Sequence, residues 1–486
     1  MKMYKKIIWI VVAMFSIISG CKKDFLDINE NPNSPEKVSI REVLPSAELA
    51  IAHVVGNNFQ IYGGLWAQYW TQNPNSSQYK TIDQYSPSSD DFDRPWKILY
   101  ADALQDLKYI STTAATEGKS QYVACSKILE AFTYQLLTDN FGDVPFSEAL
   151  RVDEGIIAPK YDSQRDVYNG ITGLLNEATA LINSGAGDAP AGEDLFFSGD
   201  MSQWQAFANT LKLRAYLRLS EVDPALSQTG VQTLAGASFL AAGQDVKINY
   251  FAAGGNTNPL YSSITALSNT QNLVASSTAI DTMLSLNDDR ITVLYNPTGS
   301  GGYAGIPQGD YNSGVPTTSI STPGDITGGN SHSASATAPV ILMSDYESLF
   351  LQAEAAARGW LNAGSDQMLY EQAITASYVS YGLDPALATA YYSQPSVLYP
   401  SGGTPEQKLE AIITQKWLAM CGNQNIEAWT EWRRTGYPDF FVPSAASILG
   451  SGRMPARFYY PSSEITRNPN TPAQRLIYEP VWWDVD

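Results

Sequence analysis

Apolar residues recur at helical spacing through most of this chain, and that periodicity constrains its fold more than any other feature. Cys125, Leu129, Phe132 and Leu136 stand at i, i+4, i+7 and i+11, so they share one stripe of a helix that ends near Asp139 to Gly142. Trp204, Phe207, Leu211 and Ala215 repeat the pattern, with Lys212, Arg214 and Arg218 on other faces. Ser344 stands three residues before Glu347, a capping-box spacing that starts a helix through Leu349, Phe350, Ala353 and Ala357, and Gly359 stops it. Leu409, Ile413, Trp417 and Met420 form another stripe, and helices are read over 41–56, 95–111, 163–183 and 366–380. Strand-like alternation is scarce. The expected fold is mostly α, with few short strands. Its helices alternate as in helix-hairpin scaffolds of the tetratricopeptide type, although no exact repeat is visible.

The first twenty residues read as an export signal. Lys2, Lys5 and Lys6 make a basic start, and Ile7 to Ile18 is an apolar run without charge. Such a run reaches roughly 18 Å as helix, short of the roughly 30 Å of hydrocarbon that a spanning helix crosses. Ser19 and Gly20 are small and Cys21 follows, an arrangement that resembles a bacterial lipobox, with cleavage before Cys21 and acylation of its sulfur. Residues 1–20 are thus expected to be a cleaved lipoprotein signal peptide, and 21–40, polar and carrying Pro32 and Pro35, a lipidated flexible tether. Residues 41–486 form one folded domain on this reading. Lys22, Lys23 and Asp24 resemble the tag that sends lipoproteins of the Bacteroidetes phylum to the outer face of the outer membrane.

The net charge is −19, and loss of the leader, with three lysines and no acid, takes it to −22. Such a surface repels a phosphate backbone, so nucleic-acid binding is excluded. Metal and nucleophile chemistry find little support either. His53 and His332 are the only histidines, no metal-ligand spacing occurs, and no G-x-S-x-G elbow presents a serine. Gly118, Lys119 and Ser120 copy the end of a phosphate loop, but Thr113 stands where its first glycine belongs. Gly299, Gly301 and Ala304 fit a permissive dinucleotide fingerprint that lacks its strand and helix. Asp139, Asp143 and Glu148 give a loose calcium-loop spacing broken by Phe141, and a helix-end cap is the simpler reading of Asp139. No metal and no cofactor is expected. A carboxylate pair for glycoside hydrolysis needs only spatial proximity and stays open.

Aromatic residues make up 11% of the chain, with 28 Tyr and 11 Trp, and their clustering suggests a ligand face. The stretch 59–85 interleaves Tyr62, Trp66, Tyr69, Trp70, Tyr79 and Tyr85 with amides, including Asn73 and Asn75. Sugars offer C–H faces that stack on rings and hydroxyls that need donors and acceptors, which is the chemistry such a mixture supplies. For Trp66, Tyr69 and Trp70 a place in the helix core is the favoured reading. Tyr79 and Tyr85 follow the turn-forming Asn73, Pro74, Asn75 and Ser76, so they are expected to be exposed. A second stretch, 295–340, is rich in Gly, Ser, Thr and Pro, far longer than ordinary connections, and carries Tyr295, Tyr303 and Tyr311. The candidate ligand-binding set is therefore Trp66, Trp70, Asn73, Asn75, Tyr79, Tyr85, Tyr295, Tyr303 and Tyr311. One ring covering about 80–100 Å² of sugar contributes roughly 2–2.5 kcal/mol before ordering costs, so two or three rings support affinities of about mM to µM.

Segments 24–35, 136–146, 350–360, 415–438 and 453–468, in this order, resemble the SusD/RagB-type outer-membrane nutrient-binding lipoproteins. The resemblance implies a tetratricopeptide-type helical scaffold with a loop-rich ligand face, lipid anchoring at the exterior of the cell outer membrane, and partnership with a SusC-like TonB-dependent transporter. It does not imply catalysis. The matching blocks read as structural: Arg433 and Arg434 beside Glu427 and Glu431 suit ion pairs and caps. No ligand residue carries over. The leading expectation is a lipoprotein that binds a nutrient, above all an oligosaccharide, and delivers it to the transporter. Peptide capture on the same scaffold, a surface glycoside hydrolase and a purely structural transporter subunit are the rivals.

Overall fold

The computed structural model describes residues 38–362, 364–450 and 452–485. The signal peptide, Cys21 and nearly all of the tether lie outside the described residues.

About half of the chain is helical. The main helices are α1 (Ile40–Val54), α2 (Gln60–Trp66), α3 (Gln105–Thr116), α4 (Ser120–Phe141), α5 (Gln164–Ser184), α6 (Met201–Arg218) and α7 (Pro224–Gln232). After a loop-rich middle come α8 (Asp345–Ala357), α9 (Asp366–Ser380), α10 (Pro385–Tyr392), α11 (Pro405–Met420), α12 (Asn425–Thr435) and α13 (Ser462–Arg467). Neighbours in sequence pack as antiparallel hairpins. Gln121, at the start of α4, reaches the Leu181 and Ala186 carbonyls at the end of α5, while Gln164, at the start of α5, donates to the Thr138 carbonyl near the end of α4. The pairs α3–α4, α5–α6, α8–α9 and α11–α12 repeat this arrangement of tetratricopeptide type. Among the described residues no helix is long and apolar enough to cross a membrane.

The strands are short and pair antiparallel in twos: β1 (Trp70–Gln72) with β3 (Leu273–Ala275), β2 (Val246–Ile248) with β6 (Val340–Met343), and β4 (Tyr295–Asn296) with β5 (Thr322–Pro323). They pin the long polar loops to the helices.

The apolar stripes face the core as their spacing predicts, with Leu349, Ala357 and Leu409 half-buried at its margin, but α6 is buried on nearly every face. Lys212, Arg214 and Arg218 are enclosed along with Trp204 and Leu211, because α6 lies between α4 and α5 on one side and α8 on the other. Enclosed charges need partners. Arg218 pairs with Asp139 at 3.3 Å and with Glu427 and Glu431; Arg434 pairs with Glu354 at 2.7 Å and Glu431 at 2.8 Å; Lys416 reaches Glu431 at 3.1 Å. Arg214 meets Glu347 at 3.3 Å. Arg433 instead donates to the Asp139 and Ala456 carbonyls at 2.7 and 3.0 Å and lies 3.7 Å from the centre of the Trp429 ring. Arg434 and Glu431 are thus paired as expected, whereas Arg433 serves backbone oxygens.

This cluster explains two departures from the sequence reading. Ser344 caps α8, its hydroxyl accepting from the Glu347 amide at 3.0 Å, but the Glu347 carboxylate turns to Arg214 instead of closing the box. Asp139 is not a helix-end cap. Helix α4 runs on to Phe141, which leaves Asp139 facing α6 and the C-terminal segment, where it accepts from the Trp483 indole at 2.9 Å and from the Tyr168 hydroxyl. The turn after α4 depends on Gly142, at φ +92°, where an added Cβ would lie 2.9 Å from the Arg457 guanidinium that donates to the Phe141 carbonyl.

Candidate functional site

The aromatic set divides into a buried group and a small exposed remainder. Trp66 ends α2 and is fully enclosed: Tyr62, Trp429 and Phe458 pack on it at 5.1, 4.8 and 5.5 Å, and its indole donates to the Ile82 carbonyl at 3.1 Å. Trp70 in β1 lies so close to α2 that a Cβ on Gly64 would meet its ring at 2.4 Å. Tyr69 stacks on Trp417 at 5.2 Å. All three belong to the core.

Tyr79 and Tyr85 are buried, contrary to the exposure expected of them. Tyr79 begins a short helix over Lys80–Asp83 and donates its amide to Gln72 Oε1 at 2.7 Å; burial pushes its hydroxyl up to about 12. Tyr85 adopts φ +60°, which turns its side chain under the C-terminal segment, and its hydroxyl accepts from the Ser444 amide at 3.0 Å. Tyr295 is enclosed too, donating to the Tyr69 carbonyl at 2.9 Å. Tyr311 is covered by Lys80, 4.9 Å from its ring centre, and accepts from Gln84 Nε2 at 2.7 Å. None of these rings has an open face. Asn73 is buried and shapes the turn: Oδ1 accepts from the Asn75 amide at 2.9 Å and Nδ2 donates to the Gln271 carbonyl at 2.8 Å.

Asn75 and Tyr303 reach solvent. Asn75 is exposed, and its Nδ2 donates to Thr317 Oγ1 at 3.3 Å, joining the 73–80 loop to the 297–319 loop. Within the second loop the Gly299 amide donates to the Thr318 carbonyl at 2.8 Å and Thr298 to Gly302 at 2.9 Å, folding the turn that carries Tyr303. The Tyr303 ring is half-buried, and its hydroxyl has no partner among the described residues. Gln78 and Thr318 add exposed polar groups to the same loops.

The residue that organises this face, and that the sequence did not single out, is Asp83. Fully buried, it accepts from Thr71 Oγ1 at 2.6 Å, the Gln72 amide at 3.0 Å and Gln308 Nε2 at 2.5 Å, while Thr71 Oγ1 accepts from the Gly309 amide at 3.0 Å. Burial raises its carboxyl to about 6 despite these donors. The arrangement fixes β1 against the long loop, and the groups that the two loops expose are one ring, amides and hydroxyls. That is an inventory for stacking and hydrogen bonding. Among the described residues no cluster of His, Cys, Asp and Glu suits a metal ion.

A search of curated proteins gives no match. Among solved structures, a chitin-binding protein shares 26% identity and a TM-score of 0.75, covering 91% of this chain and 100% of its own. A chitin-binding SusD homologue from Flavobacterium johnsoniae gives 24% identity and 0.75 over 90% of this chain and 99% of its own, and a SusD homologue from Bacteroides uniformis 23% and 0.77 over 91% and 99%. The pattern of the SusD-like family, described as starch-binding and associating with the outer membrane, matches residues 32–461, and the chain belongs to that family.

Proposed function

We propose that this protein is a cell-surface lipoprotein, anchored through Cys21, that captures an oligosaccharide on the face formed by the 73–80 and 297–319 loops and delivers it to a SusC-like TonB-dependent transporter. The observation that carries the sugar assignment is the likeness, over its full length, to a chitin-binding protein at 26% identity. The loop face agrees with it: a half-exposed tyrosine with a free hydroxyl lies in the same pair of loops as amide and hydroxyl groups. One such ring supplies roughly 2–2.5 kcal/mol, and hydrogen bonds from the amides and hydroxyls of the loops bring binding to about mM, which suffices for capture beside a transporter. The protein acts by binding and leaves the glycan intact.

Calorimetry with neutral oligosaccharides, chito-oligosaccharides among them, and with short peptides tests this reading. Binding to at least one neutral glycan, no binding to peptides and no released sugar after prolonged incubation are expected. Peptide binding without glycan binding would move the protein to the peptide-capturing alternative, and sugar release would make it a hydrolase.

A further inference from the structure

Two cations converge, unpaired, on one aromatic-floored recess of this acidic protein. The recess, about 230 Å³, opens where the helix Asp93–Lys97 and the π-helical segment Ile98–Leu104 meet the 145–159 segment and α13. The half-buried Tyr100 ring forms its floor and is backed by Trp96, which is itself enclosed by Tyr100, Phe141 and Tyr161 with ring centroids at 4.8, 4.9 and 6.4 Å. The Tyr100 hydroxyl donates to the Pro145 carbonyl at 2.7 Å, which fixes that ring, and Pro145 and Pro159 add apolar wall. Lys97 and Arg467 stand exposed at the rim, and neither has an ion-pair or hydrogen-bond partner among the described residues. Nearby Lys108, Arg151 and Lys160 are each paired with a carboxylate. The acids near the recess are already engaged: Glu464 accepts from the Tyr161 hydroxyl at 2.9 Å, and Asp93 from the Ser463 amide at 2.9 Å.

We propose that this recess is a second sugar subsite, separate from the loop face, that takes one carboxylate-bearing ring, a uronic acid, of a longer glycan. The inference rests on the carbohydrate reading above. Its volume suits a single ring and not a chain. The C–H face of a pyranose covers Tyr100, while its carboxylate meets Lys97 and Arg467 in charge-assisted hydrogen bonds. A neutral sugar leaves both cations without compensation, and an acidic amino-acid side chain lacks the flat face that the floor matches. Charge and shape therefore select the same ligand class.

Calorimetry compares a glucuronate-containing oligosaccharide with a neutral chito-oligosaccharide, using wild type, the double variant Lys97→Gln/Arg467→Gln, Glu464→Gln and Tyr303→Ala. The exchanged cations are exposed and unpartnered, so the fold is retained, which circular dichroism checks. For the uronate glycan the expected result is an affinity loss of about ten-fold in the double variant. A gain of a few-fold is expected in Glu464→Gln, together with marked weakening as NaCl rises from about 20 to about 200 mM. Neutral-glycan binding stays unchanged in both of these variants. A wild type that binds the neutral glycan and not the uronate overturns the subsite alone, as does an unchanged uronate affinity in the double variant. Loss of uronate binding only in Tyr303→Ala overturns it as well. A wild type that binds neither glycan overturns the carbohydrate reading itself.

Discussion

Glu431→Gln is expected to destabilise the protein by about 3–5 kcal/mol, a large share of the 5–15 kcal/mol typical of a folded domain. The exchange keeps the shape of the side chain and removes one charge, so its cost isolates the electrostatics. Glu431 is shared by Arg218, Lys416 and Arg434, all buried, and the neutral amide leaves three guanidinium or ammonium groups competing for Glu354, Glu427 and Asp139. Denaturant unfolding monitored by tryptophan fluorescence measures the loss. Glu117→Gln serves as the control: its pair with Lys119 is half-exposed, and a change below about 1 kcal/mol is expected there.

The same cluster sets an acid limit. Burial acts to raise the Glu431 carboxyl, but Arg434, Lys416 and Arg218 together hold it well below the usual carboxylate range, and Arg434 with Arg358 lowers Glu354 in the same way. A carboxylate whose folded pKa lies below its unfolded value contributes stability that is present above the unfolded value, near 4.3 in model peptides, and is lost as pH falls through the folded value. Asp139 and Glu347 are raised by burial and act in the opposite sense, gaining protons in the folded state first. Wild type is therefore expected to lose stability below about pH 4, and Glu431→Gln to start lower and fall less steeply.

The second large effect concerns the membrane. Cys21→Ser, with the leader otherwise intact, is expected to move the protein from the membrane pellet to the soluble fraction. Each buried methylene of an acyl chain contributes about 0.8 kcal/mol, so two or three chains hold a protein almost permanently, whereas the polar residues 22–37 supply no apolar substitute. Fractionation after carbonate washing, followed by mass spectrometry of the N-terminal peptide, reads the outcome. A serine variant that stays in the pellet would place the anchor elsewhere.

Helices were legible because an amphipathic stripe is a local signal: the spacing of Cys125, Leu129 and Phe132 needs no knowledge of what covers it. The charged cluster was half legible. Arg214 and Arg218, like Glu427 and Glu431, stand four residues apart and so share a helix face, but α6 and α12 are joined through pairs 209 and 213 residues apart in sequence, a match that no local pattern carries. The ligand face was the least legible. An exposed tyrosine and a core tyrosine follow the same turn-forming residues, and what distinguishes them is the distant chain that covers one of them. Ser444, which caps the Tyr85 hydroxyl, lies 359 residues away, and Gln308, which binds Asp83, lies 225 away. Asn75 and Tyr303 escaped such covering. Asp83 gave no sequence signal because a buried acid bonded to amides and hydroxyls looks, in sequence, like any surface acid.

The two loops joined by Asn75 and Thr317 are proposed to hold the sugar. The direct measurement is titration calorimetry of the best neutral glycan against wild type, Tyr303→Ala and Asn75→Ala/Tyr303→Ala. Sugar binding by these loops predicts a loss of at least about ten-fold for Tyr303→Ala, a further loss for the double variant, and unchanged thermal stability in both. Unchanged affinity in the double variant would contradict it and place the sugar elsewhere on the molecule.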